Sequence, residues 1–450
     1  MKNRWTKTLL LLATWALAAG LQAQEAPGTC WGELELGPQK LLLVFHFDKD
    51  EAGAPVCTID SPQQGATGIP ARVERLTADS LKVNVEALQM TYEARRTGTE
   101  WTGTFVQGGM SLPLVLKQGE PEDIRPQTPR PPYPYATEEV TFTNAGDGAV
   151  LGGTLTYPLT YTLRKPAQVP VVLMVSGSGL QNRDEEIMSH RPFAVWADFL
   201  AKNGIASLRY DDRGVGASSG ETADATTQTF MKDAEAGTDY LRRSGKFGKV
   251  GVLGHSEGGL IAFMLASAGK ADFIVSLAGP AVRGDVLLAE QNKALLRLSG
   301  LPEEVCETYG TAFAELVNME PEARTAADWR TKYATLPEPL LANLENIPGS
   351  ITPWLEFFIA YDPAEAIRTT RCPVMAINGS KDSQVPASLN LEALRKLLPA
   401  NEANNIKEYS DLNHLFQHCQ TGGVEEYGSI PETVSEEVLR EVAAWINGLK

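Results

Sequence analysis

The 450-residue sequence predicts an α/β fold, a mostly parallel central sheet with helices on both faces and a helical insertion, preceded by a small all-β domain. Three observations point there. Beyond Pro170, short and fully apolar runs alternate with amphipathic stretches of helical period, as expected of strands buried on both faces of a parallel sheet. Between Trp31 and Lys117 the apolar runs are shorter and are broken by Gly, Pro, Asp and Ser, the pattern of a separate β unit. Third, Gly254-His255-Ser256-Glu257-Gly258-Gly259 stands between an apolar strand and an apolar helix and marks a sharp turn of one into the other.

The chain opens with Lys2, Arg4 and Lys7 ahead of an apolar run from Leu9 to Leu21, and Leu21-Gln22-Ala23 has the form of a signal-peptidase site. Residues 1–23 therefore read as a signal peptide, and the mature chain is expected in the periplasm or outside the cell. The run is short for a bilayer and closes on Gln22, Gln24 and Glu25, so no stable membrane insertion is expected. Because residues 1–23 carry three cations and no acid, their removal takes the formal charge from −16 to −19. Such a surface repels nucleic acid and anionic lipid, and neither is expected as a partner. The five cysteines show no close metal-type spacing, and Cys30 with Cys57 is the pairing an oxidising compartment would allow.

Residues 25–118 read as the all-β domain. Its runs include Lys40 to Phe47, Leu81 to Val85 and Leu112 to Leu116, and the alternation at Leu81, Val83 and Val85 fits strands with one buried face. No catalytic constellation falls there, so a structural or positioning module is the plain reading. From 119 to 137 the density of proline denies both helix and ladder hydrogen bonds, which predicts a stiff linker. The remainder, 138–450, reads as one domain. It opens with a hairpin of Val140 to Thr143 and Leu151 to Thr156 joined by Asn-Ala-Gly-Asp-Gly.

Strands follow at Val171 to Val175, Ile205 to Arg209, Val250 to Leu253, Phe273 to Leu277, Val374 to Ile377 and Ile406 to Tyr409. Pro192 stands near the start of a helix whose Val195, Trp196, Phe199 and Leu200 share a face, and Asn203-Gly204 ends it. Near the C-terminus Val438, Leu439, Val442, Trp445 and Ile446 have the spacing of a helix covering the sheet. Between about 281 and 368 the rhythm breaks into mostly helical sequence, an insertion with the character of a lid. Within it Trp354, Phe357, Phe358 and Tyr361 share one helical face, either lining a pocket or packing the lid on the body.

The chemistry centres on the turn at 254–258, which has the strand-to-helix context of a G-x-S-x-G nucleophile elbow. Side chains at Gly254 and Gly258 would collide where strand and helix cross, and the turn thrusts Ser256 above the helix N-terminus, whose free N–H groups can receive an oxyanion. The bland alternative is a tight turn whose serine caps the helix.

A serine hydroxyl needs a base, and the chain has five histidines. His46 lies in the β unit, His190 precedes the serine, and His255 adjoins it but projects differently. His414 and His418 follow the last strand, and His414, first beyond it, is the favoured base. The carboxylate that orients such a base is expected between serine and histidine. Asp382 fits, directly after the strand at Val374, whereas Asp362 precedes that strand and Asp411 lies too near His414 to sit on another loop. The second oxyanion donor is expected in Ser176-Gly177-Ser178-Gly179, with the Ser178 N–H paired to the Glu257 N–H and Gly179 the competitor.

Taken together, Ser176 to Gly179 followed by Gln181-Asn182-Arg183-Asp184, then Tyr210-Asp211-Asp212-Arg213-Gly214-Val215-Gly216, the elbow, Asn378 to Asp382 and Leu412-Asn413-His414 resemble the α/β-hydrolase superfamily. The branch is that of exported bacterial esterases and serine aminopeptidase-like hydrolases with an N-terminal β extension. Where many members have a histidine before the oxyanion glycine, this chain has Ser176. The resemblance implies neither a metal nor an organic cofactor, and it implies hydrolysis through Ser256, Asp382 and His414.

The leading expectation is thus a secreted serine hydrolase that cleaves a carboxylic ester through an acyl-enzyme. A peptidase or aminopeptidase on short peptides would use the same residues and would need an acid for the substrate ammonium, with Glu257, Asp184 and Glu185 as candidates. A silent binding protein on the same scaffold is the third reading. Either enzyme takes a small-molecule ester or a short peptide. Acyl length, leaving group and oligomeric state are not written in the sequence.

Overall fold

The structure, a computed structural model, describes residues 27–36, 39–121 and 124–449, and the segment read as a signal peptide lies outside them. The chain forms two compact units: residues up to Ser61 with Ala66–Pro121, and Pro62–Gly65 with everything from Glu122 on.

The first unit is a barrel of eight strands: β1 (Thr29–Leu36), β2 (Gln39–Lys49), β3 (Pro55–Ser61), β4 (Ala66–Leu76), β5 (Ser80–Val85), β6 (Met90–Thr97), β7 (Glu100–Gln107) and β8 (Met110–Gln118). Each runs antiparallel to the next, and β8 returns to pair with β1 at Cys30 and Trp31, closing the ring. Alternation dictates the interior: on β5 Leu81, Val83 and Val85 are buried while Lys82 and Asn84 are partly exposed. Phe45, Tyr92, Trp101 and Leu114 fill the centre, and the Tyr92 hydroxyl donates to the carbonyls of Trp101 and Leu114 at 2.8 and 3.1 Å, so no polar atom is stranded there.

Cys30 and Cys57 both point into this core as free thiols, which corrects the suggested pairing. Cys30 is opposite Phe45 and Cys57 opposite Phe47, so strand β2 stands between them. Two strand spacings are about 9–10 Å, beyond the ~7 Å between Cα atoms that a disulfide spans. Burial pushes the two thiols up to about 11 and about 12.

The second unit is built on an eight-stranded mixed sheet. Its strands are β9 (Thr137–Thr143), β10 (Val150–Thr156), β11 (Val171–Val175), β12 (Ala206–Tyr210), β13 (Val250–His255), β14 (Ile274–Leu277), β15 (Val374–Gly379) and β16 (Asn405–Tyr409), in the order β16-β15-β14-β13-β11-β12-β10-β9. The β9–β10 hairpin joins antiparallel at one edge, and the six strands from β12 to β16 are parallel. Helices α1 (Pro192–Lys202), α2 (Thr227–Ser244), α3 (Glu257–Ser267), α11 (Ala387–Leu397) and α12 (Glu436–Gly448) cover the two faces. Successive residues of β11 supply opposite cores: Val171, Leu173 and Val175 pack with Leu260 and Phe263 of α3, while Val172 and Met174 pack with Trp196 of α1 and Val442 of α12.

Between β14 and β15 lie α4 (Gly284–Leu298), α5 (Glu303–Val317), α6 (Pro321–Ala326), α7 (Trp329–Lys332), α8 (Glu338–Asn346), α9 (Pro353–Ala360) and α10 (Ala364–Thr369). They carry a small core of their own around Tyr309, Leu316, Trp329 and Leu344. Among its described residues the proline-rich segment has no helix or ladder before β9 begins at Thr137. The stiff linker is also held down: the buried Arg125 guanidinium donates to the carbonyls of Met188, Gly428 and Ile430, and the Gln127 amide donates to the carbonyl of Val434, strapping the segment to its unit.

Chain order sets where chemistry can gather. From β11 the chain steps outward to β12, then returns to the other side of β11 as β13, so a crevice opens between the ends of β11 and β13. The register there is Val175 with Gly254, His255 with Leu277 and Gly379 with Tyr409, which brings the loops after β11, β13, β15 and β16 to one edge of the sheet.

Candidate active site

Ser256 is the residue between β13 and α3, and its backbone lies at φ 52°, ψ −120°. A non-glycine residue in that region costs on the order of 1–3 kcal/mol and persists only where the surroundings fix it. Here they do. The Ser256 N–H is held by the Leu277 carbonyl at 2.9 Å, and the Ser256 carbonyl accepts from Gly259 at 2.8 Å. A methyl at Gly254 would fall on the Gly258 carbonyl, and one at Gly258 on the Val175 carbonyl, so strand and helix approach as closely as bare backbone permits.

His414 lies in the loop after β16. The Asn413 side chain accepts from the N–H groups of Leu415 and Gln417, at 3.0 Å each, and curls this loop into a tight turn. Asp382 follows β15. One of its oxygens accepts from the Gln384 and Val385 N–H groups at 2.9 and 2.8 Å, and the other lies 2.8 Å from Nδ1 of His414. Both side chains are buried. Ser256 and His414 line one cavity of about 240 Å³, with no direct hydrogen bond between them among the described residues.

The remaining candidates lie elsewhere. His46 is in the barrel against Asp60, and His418 is exposed beside Glu432. His190 is fully buried between Thr433 and the Tyr427 carbonyl, and burial followed by the Arg125 charge pulls its pKa down to about 4. Asp362 accepts from the Ala364 N–H, and Asp411 is exposed in an ion pair with Lys381.

The loop after β11 crosses directly over the elbow: a Cβ on Gly177 would stand 3.1 Å from Cβ of Ser256. The Gly177 N–H is already given to Glu185 at 2.7 Å. Ser178 borders the cavity and Gly179 does not. Asp212 grips the ends of the loop, accepting from Ser176 Oγ at 3.1 Å and Gln181 N–H at 2.9 Å, and burial pushes its carboxyl up to about 7 against those hydrogen bonds. The adjacent Asp211 holds Arg183.

Two groups escaped the sequence reading in their role. The Glu257 side chain is buried, and Thr227 Oγ1 at 2.6 Å and Trp354 Nε1 at 2.9 Å donate to it. Burial raises its pKa, and the hydrogen bonds from Thr227, Trp354 and Ser178 oppose the shift. His255 does project differently from Ser256, but into a buried contact with Glu185, 2.9 Å from its Nδ1. Burial works to lower the pKa of this histidine, yet the charge and hydrogen bond of Glu185 together raise it. Only contacts between loops seventy residues apart reveal such pairs, and nothing in local spacing signals them.

The lid aromatics form two stacked pairs rather than one stripe. Trp354 and Phe358, 5.4 Å apart, wall the cavity; Phe357 stacks on Tyr361 instead. Leu287, Leu288, Pro280 and Val385 add to the apolar wall, and Glu185, Gln181, Gln291 and Gln384 are among its polar members. Among the described residues no cluster of His, Cys, Asp and Glu could hold a metal ion, and no helix is long and apolar enough to cross a membrane.

The family model described as serine aminopeptidase, S33, matches residues 188–417. Esterase EstD of Thermotoga maritima is 28% identical over 281 residues, 62% of this chain and 62% of its own length, so the match spans under two thirds of that relative. Among solved structures, the Pyrococcus furiosus esterase Pf2001 aligns with a TM-score of 0.41 at 18% identity, covering 69% of this chain and 91% of that one. Proline iminopeptidase of Mycobacterium smegmatis aligns with a TM-score of 0.41 at 15% identity, covering 69% and 97%.

Proposed function

The chain belongs to the serine aminopeptidase S33 family of α/β-hydrolases, and from that premise we propose that it is an exported serine hydrolase cleaving carboxylic esters of small molecules through an acyl-enzyme. The observation that carries the reading is the hydrogen bond of buried Asp382 to His414 at the rim of a cavity that also contains Ser256 on its strained turn.

The chemistry follows from the atoms. Asp382 accepts a hydrogen bond from Nδ1–H of His414, which leaves Nε2 as the basic nitrogen. As Ser256 Oγ attacks the ester carbonyl, its proton passes to Nε2, and the carbonyl electrons move onto oxygen. That oxyanion is received by the N–H groups of Ser178 and Glu257, the first on the loop over the elbow and the second at the start of α3. Collapse breaks the bond to the alkoxy oxygen, which leaves as the alcohol with the proton from His414. Water, deprotonated by His414, then attacks the acyl-enzyme, and the carboxylic acid departs from a regenerated Ser256.

An aminopeptidase needs a carboxylate free to meet the substrate ammonium, and of the three candidate acids only Glu185 lines the cavity. Glu257 holds Thr227 and Trp354 and Asp184 is paired with Arg209, while Glu185 gives one oxygen to both Gly177 and His255, is paired with the His255 ring, and keeps its other oxygen buried without a partner among the described residues. This favours the ester reading over the peptidase one. The test is a panel of p-nitrophenyl acyl esters against aminoacyl p-nitroanilides compared by kcat/KM, with Ser256→Ala as control. Ester turnover that disappears in Ser256→Ala, with little anilide turnover, is expected. Preference for the anilides overturns the ester reading, and failure of Ser256 to take a fluorophosphonate probe overturns the serine mechanism. Export is tested by N-terminal sequencing of the secreted chain, which should begin just after Ala23.

A further inference from the structure

Resting on that reading, we infer that Glu185 and His255 are positioning residues: a buried brace that fixes the oxyanion loop and the His414 loop to each other across the residue preceding the nucleophile. Three hydrogen bonds make the connection. Gly177 N–H donates to Glu185 Oε1 at 2.7 Å, His255 Nδ1 meets the same oxygen at 2.9 Å, and His255 Nε2 lies 3.0 Å from the carbonyl oxygen of His414. The two imidazole rings lie 4.7 Å apart.

The donors can be assigned by elimination. A peptide carbonyl only accepts, so Nε2 of His255 carries a proton; with Glu185 taken as a carboxylate, which only accepts, Nδ1 carries one as well. His255 is then an imidazolium and Glu185 its counter-charge, both withdrawn from water. A buried ion pair is an expensive way to fill space, and an apolar pair of the same volume would serve packing equally well. What an apolar pair lacks is direction. Each partner here reaches a backbone group of a different loop, one beside the amide offered to the oxyanion and the other on the base itself. Glu185 also holds φ 52° at its own α-carbon, a conformation costly for a residue with a Cβ, and this aims its carboxylate at Gly177 and His255.

The function of the brace is to set the separation of Ser178 N–H from His414 Nε2, and that separation matters most when the oxyanion forms. Loss of the brace should therefore depress kcat with little change in KM. Ester kinetics are read per active site, titrated with a fluorophosphonate. Glu185→Ala should lower kcat about 100-fold, the scale of one lost oxyanion donor, with KM within about threefold. Glu185→Gln keeps an oxygen able to accept from both Gly177 and His255, and should recover to within about tenfold of wild type.

A Glu185→Ala enzyme within about threefold of wild-type kcat overturns the inference, as does a Glu185→Gln enzyme no better than Glu185→Ala. Should Glu185→Ala not fold, His255→Phe takes its place, filling the same space and donating nothing. Slow turnover there beside near-normal turnover in Glu185→Gln supports the brace, and wild-type turnover in His255→Phe sinks it. Residual ester turnover in Ser256→Ala would refute the serine mechanism instead. A readout independent of activity then decides the brace: ring ¹⁵N shifts of His255 should report both nitrogens protonated at pH 7 in wild type and not in Glu185→Ala, and a neutral ring in wild type overturns it.

Discussion

Oδ2 of Asp382 lies 2.8 Å from Nδ1 of His414, and the other oxygen of the same carboxylate is taken by two backbone N–H groups of its own loop. The carboxylate is thereby fixed in rotation, and it takes Nδ1 of the imidazole, leaving Nε2 as the other nitrogen.

That relationship predicts the outcome of Asp382→Asn. The amide fills the same space but cannot hold the imidazole in the required tautomer or offset its charge, so kcat should fall by about 10³–10⁴-fold with a small change in melting temperature. Steady-state kinetics beside thermal unfolding check this, and a loss below tenfold contradicts it.

At the elbow, Gly258→Ala drives a methyl into the Val175 carbonyl, where no flexible side chain can yield. Overpacking of this kind should lower the unfolding free energy by about 3 kcal/mol. Urea denaturation measures it, and an unchanged midpoint with an unchanged slope would refute the close approach.

Asp212 predicts a pH dependence whose sign is fixed. Its carboxyl is pushed up to about 7 in the folded chain, while in the unfolded chain it titrates near about 4. The folded state therefore holds the proton more tightly, and the contribution of this group to stability, full below about pH 4, is lost as pH rises through about 7. Asn cannot ionise, so the melting temperature of Asp212→Asn relative to wild type should improve from pH 5 to pH 8. A difference that shrinks over that range contradicts the assignment.

Trp354 forms part of the cavity wall and donates to Glu257. Trp354→Ala should raise the kcat/KM ratio of octanoyl to acetyl ester by about tenfold by opening space for the acyl chain. Trp354→Phe keeps the wall and loses the donor, so it should leave chain-length preference near wild type while costing about 1 kcal/mol of stability.

The fold was open to reading because parallel strands buried on both faces are apolar at every position, as Val171 to Val175 are, and because the turn at 254–258 combines glycines with a strand before and a helix after. The loop positions of Asp382 and His414 followed from counting strands. Barrel closure was not readable, since alternation at Leu81, Val83 and Val85 is the same in an open sheet and a closed one. Nor was the grip of Arg125 on Gly428 and Ile430, made across three hundred residues by a segment whose prolines suggest a stiff linker. Glu185 and His255 were hidden for the same reason: a buried ion pair has no local period, and only the folded chain brings its two halves together.

The left-handed backbone at Ser256 has an implication for anyone seeking a hardier protein. Glycine would occupy that conformation without the steric cost, so under the proposed mechanism the chain gives up stability at one position to keep a hydroxyl there. Selection for heat resistance alone would favour glycine at position 256, so heat resistance compatible with the proposed chemistry is better sought in the barrel or in the helical insertion.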